Sequence, residues 1–596
     1  MNDKNIKLNE KFNLGFENFQ KNNLTEAENL FNEVLRFNPK HIESNFFLGI
    51  LYAQNKNLNK AKEFFIQVIK LNSNFAEAHY NLGLVYFRLE EYRNSVKCYE
   101  KSIEINPKNF DSHNNLGVTY NKLREYKKAL NCYEKAKEID PKNSEVYNNF
   151  GIAYFNLKNL EKAEEFYQKG LIINSKDHRL HDNLGLVFFQ LGKFQEAKKA
   201  HEKAIQIDPN HFKAYNNLGL TFSKLKEFEK AISFYEKAIK LKNDYVDAYH
   251  NIGLAYKDLG EVQKAKTYYE KAIKINPSHK EANFSLGTLL LSMKDFEKGF
   301  EQYEWRTKPF LLNKLKSLEW QGEDLNNKTI LIIYEQGWGD VIQFFRYLYL
   351  LKEKYSVDII FRVKKPIMHL FSKSNFILVT EDDTLPEHDY HKYLMSLPQI
   401  FYKTTKKFAK EINYIPENEK IYLNWKNKLE KIKGFKVGIC WQGRKTHPAD
   451  HLRSIPLNYF ERFFDIKGVQ FISLQKGFGT EQINNFKYKN KLYDFSNKNL
   501  DIDENNVFMD TIGVLKNIDL VITIDSAIAH LSGTLGIKTW MLLQYYPDWR
   551  WSLQSENFSW YDSLKIYKSK NVSEWDSILN ILKNDLIKLL NNKMSF

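Results

Sequence analysis

Glycine returns every 34 residues through the first half of the chain, at Gly15, Gly49, Gly83, Gly117, Gly151, Gly185, Gly219, Gly253 and Gly287. Nine copies in phase, without an insertion, make a repeat array and exclude a single globular core over that stretch. The beat stops after Gly287, and beyond about residue 310 the sequence obeys other rules.

Two further markers keep the same phase. An Asx-Pro pair marks helix ends at Asn38-Pro39, Asn106-Pro107, Asp140-Pro141, Asp208-Pro209 and Asn276-Pro277. A small residue stands where paired helices would touch: Ala27, Ala61, Ser95, Ala129, Ala163, Ala197, Ala231, Ala265 and Gly299. Apolar residues between the markers fall at helical spacing. A 34-residue helix-turn-helix unit of this kind resembles the tetratricopeptide repeat. Such units bury their faces only against neighbours, so the resemblance implies an all-α superhelix with a concave binding surface.

Asparagine fills the position two residues before the repeated glycine in six successive units: Asn81, Asn115, Asn149, Asn183, Asn217 and Asn251. A primary amide both donates and accepts, so a ladder of amides can hold an extended peptide backbone without reading its side chains. The array is similar here to that of the O-linked N-acetylglucosamine transferases, which hold substrates in this way. The other reading is that the amides serve local hydrogen bonding within the repeats.

The formal charge is +15 over 596 residues. Lysine and glutamate are interspersed along the repeat helices, and no arginine-rich block or RNA-binding aromatic signature appears. The charge therefore reads as a solvated repeat surface, with no nucleic-acid partner expected. Cys98, Cys132 and Cys440 are the three cysteines and form no CxxC, which argues against a disulfide framework or a zinc site. The polar start MNDKNIKLNEKF lacks a signal-peptide core, and no long apolar run suggests a membrane span. A cytoplasmic location is expected.

After Arg306 apolar strands alternate with helices. TILIIY, VDIIFRV and FILVT read as strands of one unit; KVGICW, VQFISL, DLVITID and KTWMLL read as strands of a second. The alternation implies parallel sheets covered on both faces. Three domains follow: repeats over 1–310, a first α/β domain over 311–425 and a second over 426–596. Ligands of open α/β sheets bind beyond the carboxyl ends of the strands.

Three post-strand segments carry candidate chemistry. In ITIDSAIAHLSGTLG a strand ends at Asp525 and a small-residue helix opens at Ser526 or Ala527, with His530 one turn on. Its first amides and positive dipole end suit an anion, although an ordinary helix cap has the same residues. WQGRKTHPADHLRSIPL places Trp441, Gly443, Lys445, His447, Asp450 and Arg453 in one loop, whose basic groups suit a diphosphate. EQGWGD puts Gly337, Gly339 and Asp340 at a strand-to-helix turn; there Asp340 is either a cap or a reactive carboxylate.

Together with YEWR (Tyr303 to Arg306), YYPDWRW and SWY (Ser559 to Tyr561), these motifs resemble two-Rossmann-domain (GT-B) glycosyltransferases, specifically the family 9 group related to heptosyltransferases and fused to tetratricopeptide repeats. The resemblance implies two Rossmann-like domains facing a cleft and inverting transfer of a sugar from a nucleotide-diphosphate donor to an acceptor hydroxyl, with no metal or cofactor expected. It assigns the catalytic base to Asp340. It assigns diphosphate contacts to Arg453, Ser526, Ala527 and His530; the loops themselves add Lys445 and Asp525 to that set, and Gly337, Gly339, Trp441, Gly443, His447 and Asp450 to the rest of the cleft. The repeat arm would then recruit a protein or peptide. Two departures stand out: Trp338 precedes the GD pair, and Gln343 and Phe344 follow where a heptosyltransferase histidine is expected. The Asp501-Ile502-Asp503 triplet reads as a solvated turn rather than a metal motif. Tyr545, Tyr546, Trp549, Trp551, Trp560 and Tyr561 are divided between stacking and core roles, with Trp549 and Trp551 on the core side. The alternative for the whole chain is a repeat scaffold with an inactive transferase-like half.

Overall fold

A computed structural model describes residues 2–308, 315–444, 450–496, 501, 506–552, 560–571 and 574–594. Lys445, His447, Asp503 and Ser559, and the expected boundary at 310, lie outside the described residues. The chain divides by internal contacts into two units, Met1–Leu259 and Gly260–Phe596.

The first unit is a run of helices from Asn2–Gln20 to Val246–Asp258. Each repeat closes its helical hairpin with a residue of positive φ, at Asn22, Lys56, Glu90, Arg124, Lys158, Gly192 and Lys226. At Asn38, Asn72, Asn106, Asp140, Asn174 and Asp208 the Asx side chain ending a helix accepts from the amide two residues on, as in Lys108 N to Asn106 Oδ1 at 3.3 Å and Lys142 N to Asp140 Oδ1 at 3.2 Å. Asn72 and Asn174 make the same bond without a following proline. The Asx turn is thus the shared device, and the proline only stiffens it.

The repeated glycine has a packing cause. A Cβ on Gly219 would lie 2.5 Å from Cε1 and 2.7 Å from Cδ1 of Tyr235, a ring that is 1% exposed. Phe65, Tyr99, Tyr133 and Tyr167 stand in the same way over Gly49, Gly83, Gly117 and Gly151, and His201 over Gly185. Gly219→Ala is expected to lower the stability of the repeats. Overlap with a fixed ring belongs at the upper end of about 1–3 kcal/mol, more than the ~1 kcal/mol that alanine gains over glycine in a helix. Denaturant unfolding followed by far-UV circular dichroism measures it; an unchanged midpoint would mean the ring has room to move.

The second unit begins with helices Val262–Ile275, Lys280–Ser292 and Phe296–Tyr303 and continues into two sheets. The first sheet holds β1 (Leu318–Glu319), β2 (Lys328–Ile333), β3 (Val357–Arg362), β4 (Ile377–Val379) and β5 (Tyr390–Tyr393), in the order β1-β5-β2-β3-β4. The second holds β6 (Phe435–Cys440), β7 (Val469–Ser473), β8 (Leu492–Tyr493), β9 (Leu520–Ile524), β10 (Thr539–Leu543) and β11 (Leu564–Lys568), in the order β11-β10-β9-β6-β7-β8. The strand pairings in both sheets are parallel. In each sheet the order reverses at the first long strand. The crevices therefore fall between β2 and β5 and between β6 and β9, where such sheets take ligands.

One core runs through this unit, from Leu291, Phe300 and Tyr303 to Ile332 and Phe344 beside the first sheet and Ile528 and Met541 in the second half. A second core, with Ile439, Trp441, Phe460 and Leu579, covers the other face of the second sheet. Trp425, at the expected boundary between the α/β domains, is fully buried and donates to Asp510 Oδ1 at 2.8 Å. The helix Glu419–Leu429 thus packs on the helix Met509–Leu515 of the second half.

Candidate functional site

The turn after β2 carries Gly337 to Asp340 into the helix Trp338–Phe344. Asp340 accepts from the Gly337 amide at 3.0 Å, so it does cap the helix. Its other oxygen pairs with Arg550, in the short helix Trp549–Ser552. Arg550 also donates from Nε to Asp548 Oδ1 at 2.7 Å. Burial alone would weaken the Arg550 charge, but Asp548, Asp340 and Asp525 outweigh it and hold the guanidinium firmly protonated.

Across the crevice, Arg453 donates from Nη1 to the Asp525 carbonyl at 3.0 Å and from Nε to Asp450 Oδ1 at 3.2 Å. Buried Asp450 also takes Gln442 Nε2 at 2.7 Å and Ser454 Oγ at 3.0 Å, and so fixes the loop that aims Arg453. Gly443 fits beneath this pair, because a Cβ there would overlap Asp450 and Arg453. Asp525 is half-buried; burial raises its carboxyl above the usual range against the pull of Arg550 and Arg453. Ser526 is the N-cap residue of Ala527–Thr534, with no side-chain cap bond, and its hydroxyl lies 3.2 Å from that of Thr523. The amides opening that helix have no acceptor within it.

Several sequence expectations change. His530 is 3% exposed, stacks on Trp551 with 5.2 Å between ring centres, and its Nδ1 lies 3.1 Å from the Tyr561 hydroxyl. Burial, then Arg550 and Arg346, hold its pKa well below the usual value, so it is a neutral packing group and not a cation for a diphosphate. Gly339 does not open onto a ligand. A Cβ there would meet His530 Cδ2 at 2.8 Å and Ala527 Cα at 3.3 Å, so this glycine lets the two helices approach each other. Trp441 is fully buried in the second core and donates to the Gly479 carbonyl at 3.2 Å, out of the crevice. Asp501 is buried and accepts from the amides of Asp510 at 2.9 Å and Thr511 at 3.2 Å; it is a helix cap, not a solvated turn. Trp549, Trp551, Trp560 and Tyr561 are all buried.

The remaining motif residues form braces. Arg306 is 4% exposed and donates to Glu335 Oε1 at 2.7 Å, Glu304 Oε1 at 2.7 Å and Ser396 Oγ at 2.6 Å. Burial opposes ionisation of Glu304, but Arg306 and Lys308 prevail and bring its pKa down to about 2. Arg346 is fully buried, donates to the Trp560 carbonyl at 2.8 Å and stands over the Tyr561 ring at 4.7 Å. Neither Arg550 nor Arg346 stands among the expected site residues, although Arg550 lies inside YYPDWRW.

In the first unit the asparagine column is an inter-repeat seam. Asn149 donates to Asn114 Oδ1 at 2.9 Å, Asn183 to Asn148 Oδ1 at 2.8 Å and Asn217 to Asp182 Oδ1 at 3.0 Å, each bond spanning 35 residues. Asn115 donates to the Tyr80 hydroxyl at 3.1 Å, and Asn81 to the Glu77 carbonyl of its own helix at 2.8 Å. Asn251, at the same phase, donates to Asn216 Oδ1 at 2.9 Å. Apart from Asn81, these donors are directed at neighbouring repeats, and each amide keeps only its other proton and its carbonyl for a peptide. The partners sit three residues before each glycine, a second in-phase column.

Tetratricopeptide repeat models match residues 51–90, 76–109, 110–143, 142–210, 177–244 and 246–279. The protein FlbA of Caulobacter vibrioides is 24% identical over 302 residues, which is 47% of this chain and 50% of that protein. The chain thus spans about half the length of this curated relative. Among solved structures, a tetratricopeptide repeat protein from Parabacteroides merdae is 19% identical at a TM-score of 0.38, covering 42% of this chain and 98% of that one. The Cut9–Hcn1 assembly of the APC/C is 18% identical at a TM-score of 0.37, covering 46% and 54%. Residues 51–279 are tetratricopeptide repeats, a scaffold for protein interaction. Among the described residues no helix is long and apolar enough to cross a membrane.

Proposed function

We propose that the second unit transfers a sugar from a nucleotide-diphosphate donor to an acceptor hydroxyl, and that the repeats recruit a protein acceptor or partner. One arrangement carries this reading: Arg550 pairs with Asp340 of the first half and is steadied by the charge of Asp525 in the second, and Arg453 holds the Asp525 carbonyl. Asp340 takes the proton of the acceptor hydroxyl as it attacks the anomeric carbon. Negative charge grows on the departing diphosphate, and Arg453, Arg550 and the helix opening at Ala527 stabilise it. Before donor binds, Arg550 is paired with Asp340. Donor phosphates drawing Arg550 to themselves free the carboxylate, so the base comes into play when there is something to transfer.

The scaffold reading has its own support. Gly339 packs on Ala527, which narrows access to the helix start where a phosphate would sit. A thermal-shift panel with UDP, GDP, ADP and CMP conjugates separates the two. Stabilisation by one donor class, weakened at least tenfold in apparent Kd by Arg453→Ala, is the expected outcome. Silence from every nucleotide would leave the scaffold reading standing.

A further inference from the structure

One repeat junction in the first unit departs from the pattern at several positions at once. Asp182 stands where neighbouring units have Asn114, Asn148 and Asn216. His201 stands where Tyr133, Tyr167 and Tyr235 cover the repeated glycine. His211 opens a helix at the phase held by Asn109, Asn143 and Asp177. His41 and His279 share that phase and cap their helices through Nδ1, at 3.2 Å and 3.1 Å from the amides of Ser44 and Ala282. His211 makes no side-chain cap bond. Its ring turns to Asp182 instead, with Nε2 3.1 Å from Oδ2, and packs edge-on against His178, 4.7 Å between ring centres.

These departures converge on three ligand-type side chains. His178, Asp208 and His211 each place one ligand atom within 4.8 Å of the others, all half-buried. His178 Nε2 lies 3.6 Å from Asp208 Oδ2. Two ligands at metal–nitrogen and metal–oxygen distances of roughly 2.1 Å in a tetrahedron sit about 3.4 Å apart, so small side-chain adjustments would seat an ion. The other oxygen of Asp208 holds the Asx turn by accepting from the Asn210 amide at 3.0 Å, which fixes the carboxylate.

An outer sphere is already built. Asp182 is 5% exposed and accepts from His201 Nδ1 at 2.8 Å and from Asn217 Nδ2 at 3.0 Å. It takes one ring nitrogen of His211 and leaves the other for a metal. A carboxylate behind a ligating imidazole is the arrangement that orients such ligands and raises their basicity. Removing the repeat's usual tyrosine in favour of His201 gives Asp182 a second fixed donor. We infer that His178, Asp208 and His211 bind a divalent first-row cation of the zinc type, with Asp182 and His201 behind them. Two imidazoles and one carboxylate suit zinc or cobalt over magnesium or calcium. Three protein ligands leave a fourth position for water or for a donor group of a protein lying on the repeats.

Cobalt(II) added to the full-length, metal-stripped protein tests the site. The expected result is one equivalent bound, with visible d–d bands that zinc(II) displaces and that lack thiolate charge-transfer absorption. His178→Gln combined with His211→Gln should abolish that equivalent while far-UV circular dichroism stays unchanged. Asp182→Asn should weaken it by about 10–100-fold. Absence of stoichiometric uptake, uptake that survives the double substitution, or Asp182→Asn binding as tightly as the unaltered protein would each overturn the inference.

Discussion

Asp340→Asn protein is expected to bind its nucleotide-diphosphate donor as the unaltered chain does and to transfer sugar about 10²–10⁴-fold more slowly. Asparagine keeps one acceptor oxygen, enough for either Arg550 or the Gly337 amide, and Arg550 retains Asp548 at 2.7 Å. What is lost is the ability to take a proton. Donor titration and initial transfer rates measure the two effects separately. Equal loss of binding and of rate would make Asp340 a brace for Arg550 rather than a base; an unchanged rate would remove it from the chemistry altogether.

Arg306→Ala is expected to destabilise the second unit by about 3–5 kcal/mol, the range for removing one partner of a buried ion pair. The side chain of Glu335 is fully buried and would keep only the Met395 amide, at 2.9 Å, among the bonds described here. All ten tryptophans lie at or beyond Trp305, so their fluorescence follows this unit alone, and far-UV circular dichroism follows the helices of both. The expected pattern is an early fluorescence transition with the repeat helices melting later. A variant whose fluorescence midpoint does not move would show that water reaches Glu335 easily.

The repeats were legible because their period is local. Asx turns and glycines under rings recur with the chain, and each needs only its own hairpin. The strands β2, β3, β6, β7, β9 and β10 were legible as apolar runs. β5 was not, because Tyr390–Tyr393 reads as polar: His391 and Lys392 are buried, one beside the Ser317 hydroxyl at 2.9 Å and the other bonded to Glu319 at 2.9 Å. Such partners lie over 70 residues away and leave no mark at short range. Trp441 was misplaced for a different reason. Strand alternation puts it on the face of Val437 and Ile439, a signal present in the sequence that its neighbouring glycine obscured. Arg550 was hidden among aromatics, and its partner Asp340 is 210 residues upstream. The asparagine column was visible, but its partners one residue before were not recognised as the other half of a seam.

The helices Lys280–Ser292 and Phe296–Tyr303 keep the 34-residue beat yet share a core with the sheets, and Val262–Ile275 falls in the same unit. Gly260 itself leaves no space for a side chain beside the Tyr546 hydroxyl. Gene rearrangement therefore has two different substrates in what looks like one uniform array. Units before Gly260 can be duplicated or deleted as modules so long as the junction of His178, Asp182, His201, Asp208 and His211 stays together. The final ones are inherited with the α/β half, and a recombination point placed where the sequence period ends would sever them from the partner they fold with.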